Sequence, residues 1–597
     1  MRIYIYKYVN KKLNGSNGIA PLKNVSGEVV SDNFSKAELL NDYFSNVFVN
    51  DNGIIDEKWQ IPKCGSTMNP VFVTPSIIRK SINRIKKTGG AGPDNLPSEF
   101  YKKCQQSIAY PLSVIYNISL QTGSLPLIWK CAVVTPVFKK GSPSDPANYR
   151  PISLTCIACK LLESCIKESL LSYLVNHKII SKHQHGFMSK RSTSTQLLEC
   201  SLDWAVALNA KKPVDVVYLD YAKAFDSVVH SKLLYKLTCY GVCDMILVWL
   251  KDFLSGRSQA VRVGDCLSTF HPVISGVPQG SVLGPVLFVV FINDIVNSSN
   301  DAVTVKLFAD DAKLYTVISD ESSAANLQSS LDYILSWSDH WQLKLSPSKC
   351  TVMHLSNPKA GISNSSSNAT YSLSGLTLPS VLTVTDLGIC FDTHFSFRPH
   401  VNHIVAKASQ RAKLIRKCFT TRDPKLLSKA FSVFVRPILE FSSVVWSPYF
   451  KIDIKRIESV QKRFTKACLP KLSYNERLSA LGLQTLETRR IMSDLTTCHK
   501  ILNNNIDVDF NSFFYFSHNT HTRGNSKKLA VCRTINIRDA NLFHHRVVNC
   551  WNKLPDSVVL ASTTSSFKAH LSRFISTVSP QFFYLCVLVS CSFLAIL

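Results

Sequence analysis

A fold that mixes helices and strands is predicted by two kinds of segment that share this chain. Short β-rich apolar runs of strand length, at Val214–Leu219, 303–307 and 314–318, lead into or out of carboxylates. Around them lie stretches whose apolar residues recur at helical spacing, notably 35–48, 159–180 and 404–417. At 597 residues the chain exceeds one compact core, so several domains are expected.

Taken in order, residues 1–75 read as a linker-like segment of Gly, Ser and Asn turns with one amphipathic helix. In that helix, 35–48, the residues Leu39, Leu40, Tyr43, Phe44, Val47 and Phe48 share a face. From Ser76 the pattern is helix, a loop rich in Gly and Pro (Gly89-Gly90-Ala91-Gly92-Pro93-Asp94), helix, and a short strand over 132–138. Lys139 and Lys140 follow, then a polar loop and Asn148-Tyr149-Arg150-Pro151-Ile152. Helical periodicity covers 159–180. Val214–Leu219 is continuously apolar apart from Asp215 and exits at Asp220, as a buried strand would. Two strand pieces lie in 259–263 and 270–274, and an apolar helix is expected from just after Ser275 through Ile295. A hairpin then presents Phe308-Ala309-Asp310-Asp311 at its tip.

The last third is different. One helix, 404–417, puts Ile404, Ala408 and Ile415 on one face and Lys407, Arg411, Lys413, Arg416 and Lys417 around it. A second, 452–466, carries Lys455, Arg456, Lys462, Arg463 and Lys466. Acids are scarce here, so these charges point to nucleic-acid phosphates rather than to balanced solvated faces. The whole chain agrees, since a net charge of +27 and a pI near 9.4 call for a polyanionic partner. Nineteen Cys without regular spacing, and no signal peptide, argue for a reduced intracellular protein, nuclear or cytoplasmic and not secreted. The lone pair Cys156 and Cys159, with Cys165 nearby, is read as core packing rather than a zinc site. The uncharged stretch 581–597 falls just short of the roughly 20 residues of a spanning helix and is read as a packed tail rather than a membrane anchor.

Asp310 and Asp311 pose the chemical question. Two neighbouring carboxylates repel unless a cation accompanies them, and hard oxygen ligands suit magnesium. Asp220, at the end of its own strand, reaches the same place if the strands are neighbours in one sheet. Three converging carboxylates can hold two divalent ions, the arrangement that stabilises both oxygens of an in-line phosphoryl displacement.

These residues bring the chain to a family. Val216-Val217-Tyr218-Leu219-Asp220-Tyr221-Ala222-Lys223-Ala224-Phe225-Asp226 resembles motif A of reverse transcriptases. Ser275-Gly276-Val277-Pro278-Gln279-Gly280-Ser281-Val282-Leu283-Gly284-Pro285 resembles their motif B, and Phe308-Ala309-Asp310-Asp311 their motif C in the form used by non-LTR retrotransposons. The loop Gly89 to Asp94 resembles an N-terminal element of LINE-type enzymes. Asn148 to Ile152, and Gln184-His185-Gly186-Phe187 with Ser192-Thr193, resemble motifs of the fingers. Trp341 and Lys349-Cys350 resemble motif D, with Ser346 where Asn is usual, and Asp386-Leu387-Gly388 resembles the primer grip. Arg436 to Glu440, Trp446 and Glu458 to Gln461 resemble the thumb of jockey-like elements, and Trp551 to Pro555 their C-terminal segment. The likeness runs over about residues 20 to 575 and is carried by ordered, well-spaced motifs.

The resemblance implies a right-hand polymerase of α+β class: fingers over 76–213, a palm with an antiparallel sheet over 214–395, a helical thumb over 396–500, a C-terminal segment over 501–580 and an apolar tail. It implies an RNA-directed DNA polymerase extending a DNA 3′-hydroxyl on an RNA template with dNTPs. Asp220, Asp310 and Asp311 would ligate two Mg2+ ions, with Mn2+ as the alternative and the Leu219 or Tyr221 carbonyl as an extra ligand. Phe225 would lie beneath the sugar and exclude a 2′-hydroxyl. Arg150 with Lys139 or Lys140 would neutralise the triphosphate, Gln279 and Gly280 would lie against the templating pair, and Lys349 would protonate pyrophosphate. His183 and His185 are read as structural. No endonuclease, zinc knuckle or RNase H signature accompanies the polymerase, so a separate endonuclease is the expected partner. The three intact carboxylates favour a working enzyme over an RNA-binding relic.

Overall fold

The computed structural model describes residues 18–86, 90–298, 302–356, 369–517 and 525–577. The 581–597 stretch and Gly89 lie outside the described residues. The elements that position the site are α1 (Asn33–Ser45), β1 (Cys131–Phe138), β2 (Tyr149–Leu154), α2 (Ile157–Asn176), α3 (Thr193–Asn209) and β3 (Val214–Leu219). They continue as β4 (Arg257–Val263), β5 (Cys266–Leu267), β6 (His271–Val273), α4 (Gly284–Ile292), β7 (Val303–Phe308), β8 (Asp311–Val317), α5 (Glu321–Trp341) and β9 (Thr351–Leu355). A small hairpin, β10 (Thr383–Asp386) and β11 (Ile389–Asp392), precedes the long helices α6 (Arg398–Cys418) and α7 (Lys451–Cys468).

Two sheets organise the chain as a mixed helix and strand fold. The first has the order β9-β3-β8-β7, antiparallel throughout. Val217 and Leu219 of β3 face a core with Trp249, Phe288, Trp337 and Trp341, while Val214 and Val216 face a second core with Trp204, Phe391 and Trp446. A sheet covered on both faces calls for apolar residues on both sides, which is why β3 is apolar but for buried Asp215, whose carboxylate is met by His354 and Tyr371 at 2.7 Å each. The second sheet has the order β2-β1-β4-β5, with β6 also on β4; β1 and β4 are parallel and the other pairs antiparallel. A third core joins α1 to this sheet through Leu40, Phe44, Val134, Tyr149, Val261 and Val263.

Some expectations shift. The helix expected from just after Ser275 begins only at Gly284, because Pro278 and a Gly280 at φ +127° keep the preceding residues out of helical geometry, and Pro285 suits the first turn. From there α4 is apolar all round and wholly buried among its neighbours. The expected amphipathic helix ends at Ser45, before Val47 and Phe48, and its segment is docked on the second sheet rather than trailing as a linker. Cys156, Cys159 and Cys165 are buried and free. Among the described residues no helix is long and apolar enough to cross a membrane.

Candidate active site

Strand register assembles the carboxylates. β8 pairs with β3 so that Ala312 faces Leu219, the last residue of β3, which brings Asp311 and Asp220 to the same end of the sheet. Phe308 pairs with Asp311 across the hairpin, leaving Ala309 and Asp310 as the two turn residues. Ala309 takes φ +57°, a left-handed conformation that costs a residue with a Cβ about 1–2 kcal/mol. Gln184 holds that turn: its Oε1 accepts from Ala309 N–H at 3.0 Å and Gly186 N–H at 2.7 Å. His185 N–H donates to Leu307 O at 2.8 Å, and Leu307 N–H to His183 O at 3.0 Å. A Cβ on Gly186 would come within 2.3 Å of Ala309 N, so only glycine fits there. His185 itself is buried, with Nδ1 3.2 Å from Thr195 Oγ1 and Nε2 3.4 Å from Glu199, in keeping with a structural part.

The carboxylates feel one another. Burial raises the Asp310 carboxyl and the Asp220 charge adds to it, against Arg150 and Lys139. Asp311 keeps an exposed edge, yet surrounding protein, then Asp310, Asp386 and Asp220, push it up to about 6 against Lys313. Asp220 is half-exposed at its strand end, its carbonyl accepting from Ser346 N–H at 2.8 Å and its Oδ1 3.4 Å from Lys349 Nζ. Ser346, at the position where the resemblance expects Asn, thus does its work through the backbone.

Cations enter from the second sheet. Arg150 lies on β2 opposite Val137 of β1, and Lys139 N–H donates to Asn148 O at 2.7 Å just beyond that pairing. Burial lowers the Lys139 ammonium, Arg150, Lys140 and Lys349 add to this, and Asp220 opposes it. Lys139 is thus within electrostatic reach of Asp220, and both lysines are exposed on the rim of the second sheet.

The loop from Ser275 to Leu283 seals the floor. Phe225 stacks on Phe288 with ring centres 4.3 Å apart, and Val277 N–H donates to Phe225 O at 2.8 Å. Gln279 does not end free in the cleft: its Nε2 donates to both oxygens of buried Asp226 at 2.9 Å. Gly280 is required by its neighbour, since a Cβ would meet Ser153 O at 2.3 Å. The close approach expected of Gly280 is thus made to strand β2 of this chain. Gly92 is likewise pressed on the backbone beside Cys156, where a Cβ would come within 2.6 Å.

Asp386 ends β10 at a two-residue turn, Leu387 and Gly388, both at positive φ as a type I′ hairpin requires. It forms a buried ion pair with Lys313 of β8. Burial works to lower that ammonium, and the Asp386 carboxylate overturns this and holds it above its ordinary value. Lys313 was missed from sequence, where a lysine inside an apolar strand was its signal, and Gln184 was quoted in a motif without this role.

The basic helices α6 and α7 pack together through Ile404, Ala408, Ile415, Ile457, Val460 and Phe464. Lys407, Lys413, Arg416, Lys417, Lys455, Lys462, Lys466 and Arg463 are exposed, and Arg411 is half-buried. Arg456 is exposed but lies 3.6 Å from buried Asp453, so part of its charge is spent within the fold. A separate cluster, Asp539, His544 and His545, brings ligand-type atoms within 4.8 Å. Its carboxylate already accepts from Asn209 Nδ2 at 2.8 Å and Ile535 N–H at 2.9 Å, which ties the C-terminal segment to α3.

Residues 137–391 match the reverse transcriptase (RNA-dependent DNA polymerase) family. The chain is 29% identical over 411 residues to a probable RNA-directed DNA polymerase from transposon BS of Drosophila melanogaster, across 65% of this chain and 44% of that protein. It is 28% identical over 404 residues to the RNA-directed DNA polymerase from mobile element jockey of the same fly, across 66% and 43%. A probable RNA-directed DNA polymerase from transposon X-element, also of Drosophila melanogaster, is 26% identical over 417 residues, again across 66% and 43%. The chain spans less than half the length of these relatives.

Proposed function

We propose that this chain, whose residues 137–391 are a reverse transcriptase domain of the kind found in jockey-type non-LTR elements, is an RNA-directed DNA polymerase extending a DNA 3′-hydroxyl on an RNA template. One observation carries the reading: the strand register that brings Asp220 and Asp311 to one end of the sheet, with Asp310 in the adjoining turn, Arg150 and Lys139 acting on Asp310, and Lys139 on Asp220. In this reading 76–213 are fingers, 214–395 a palm, 396–500 a thumb, and 501–580 a C-terminal segment.

The donor set fits hard divalent ions. It consists of carboxylate oxygens, and two of its members have carboxyls raised by burial and by mutual repulsion, a cost that bound dications relieve. Asp220, Asp310 and Asp311 would hold two Mg2+ ions, or Mn2+ in their place. Such ions supply charge stabilisation to the attacking and leaving oxygens of nucleotidyl transfer. The chain's own residues do the rest. Arg150 and Lys139 offset the triphosphate charge, and Lys349 is near enough to Asp220 to give a proton to departing pyrophosphate. The Phe225 ring, backed by Phe288, forms a wall against a ribose 2′-hydroxyl. Gln279 acts indirectly, bracing Asp226 beneath the site. Exposed lysines and arginines of α6 and α7 would follow template and primer phosphates. A separate endonuclease would supply the primer end by nicking DNA.

The test is direct. Purified chain given an RNA template, a DNA primer, dNTPs and magnesium extends the primer, and Asp310→Ala or Asp311→Ala abolishes extension. Extension that survives either substitution sinks the assignment.

A further inference from the structure

The first helix reaches the nucleotide mouth from the far end of the chain. Through Leu40 and Phe44, α1 rides on the sheet that carries Arg150, against Tyr149, the residue just before that arginine. Its orientation is pinned at several points. Asn41 Nδ2 donates to Thr269 O at 2.9 Å, and Glu38 accepts from Thr269 N–H at 2.7 Å. Beyond its end, Val49 N–H donates to Ser275 Oγ at 2.9 Å, and that hydroxyl donates to Asp226 O at 2.8 Å. So held, α1 sets the Tyr43 ring over Lys223, with Nζ 5.1 Å from the ring centre.

Lys223 sits between Asp220 and Phe225, with its own backbone at φ +50°. Burial lowers its ammonium; Asp226 and Asp145 raise it, and Lys349 and Arg150 lower it, so these groups surround it. Tyr43 borders the same set, its hydroxyl raised by burial and by Asp145 and lowered by Lys349. Lys139, Arg150, Lys223 and Lys349 therefore crowd one mouth and repel one another. A carboxylate at position 43 would hold Lys223 but compete with a polyphosphate for it. An aromatic face attracts an ammonium through its quadrupole and leaves the full positive charge available.

We infer that Tyr43 is a positioning residue of the nucleotide site: its ring holds the Lys223 ammonium toward the triphosphate of an incoming nucleotide, which makes docking of α1 a condition of nucleotide binding. The inference rests on the polymerase reading above and extends it to a residue outside the matched family region.

Steady-state primer extension by the full chain tests it. Tyr43→Leu keeps the bulk and loses the π face, so KM for dNTP rises about five-fold, the worth of roughly 1 kcal/mol of cation–π contact. Over the same comparison kcat and the KM for primer–template stay within about two-fold of wild type, as loss of a binding contact alone requires. Tyr43→Phe restores the dNTP KM, and in a Lys223→Met background Tyr43→Leu adds nothing further. An unchanged dNTP KM in Tyr43→Leu overturns the inference, as does an equal effect in the Lys223→Met background. A wild-type chain that extends no primer refutes the polymerase reading instead. The Tyr43–Lys223 contact is then read by site-resolved lysine acylation, which Tyr43→Leu increases at Lys223; labelling that does not change overturns the contact.

Discussion

The two sheets bring opposite charges to one cleft and hold them in opposite ways. The carboxylates stand at strand ends and a pinned turn within a sheet buried on both faces, Asp220 fixed by the Ser346 N–H and Ala309–Asp310 by Gln184. The cations stand on the rim of the five-stranded second sheet, with Arg150, Lys139 and Lys140 exposed on long side chains. In the proposed polymerase the difference follows from what each group would meet. Divalent ions demand oxygens at set positions, and strand register provides them. A triphosphate that arrives and departs needs charge that moves with it, and flexible side chains provide that.

The contrast can be broken most directly by paired substitutions. Asp220→Ala is expected to cut kcat at least about a thousand-fold, and Arg150→Ala about ten- to a hundred-fold, mainly through the dNTP KM. Equal losses in kcat, measured by primer extension, would show that both charges are positioned with the same rigidity. Next in size is the ion pair that secures the β10–β11 hairpin to the carboxylate sheet. Asp386→Ala strands the Lys313 ammonium in the interior and is expected to cost about 3–5 kcal/mol in denaturant unfolding. Replacing both partners by apolar residues should recover much of that, and no recovery would mean that Asp386 acts through some other contact.

Acidity beneath the floor gives a smaller effect with a definite sign. Burial raises the Asp226 carboxyl to about 6, against the Gln279 amide and Lys223. An acid raised in the folded state keeps a proton that the unfolded chain has already lost, so stability falls as pH rises from about 4 to about 6 and stays reduced above that window. Asp226→Asn should therefore gain on the order of 3 kcal/mol at about pH 8 and nothing below about pH 4. A pH-independent gain in chemical denaturation would contradict this. The smallest effect belongs to the basic helices. Lys413→Ala should weaken RNA–DNA binding evenly across sequences and lower the slope of log affinity against log salt by about 1. An unchanged slope would remove Lys413 from the phosphate track.

Legibility followed distance along the chain. The hairpin, β3 and the three carboxylates were readable because their pattern lies within a few neighbouring residues and their residue types are set by chemistry. The periodicity of α6 and α7 was readable for the same reason. Gln184 was quoted only as part of a motif, because its role depends on a turn 125 residues later. The Lys313–Asp386 pair spans 73 residues, and neither partner alone announces it. The start of α4 was misplaced because an apolar composition favours a helix, while Gly280 is held by the Ser153 carbonyl of another strand.

What the sequence determined by itself was the mixture of helix and strand, their periods, the basic character and the acids that gather at one end of the sheet. These depend on propensity, spacing and residue type, all of them local. Only the tertiary structure decided that Gln184 pins the Ala309–Asp310 turn, that Gln279 is spent on Asp226, and that Tyr43 reaches Lys223. Those outcomes depend on charges and rings meeting across space, where a few ångströms and the degree of burial set the strength of every interaction.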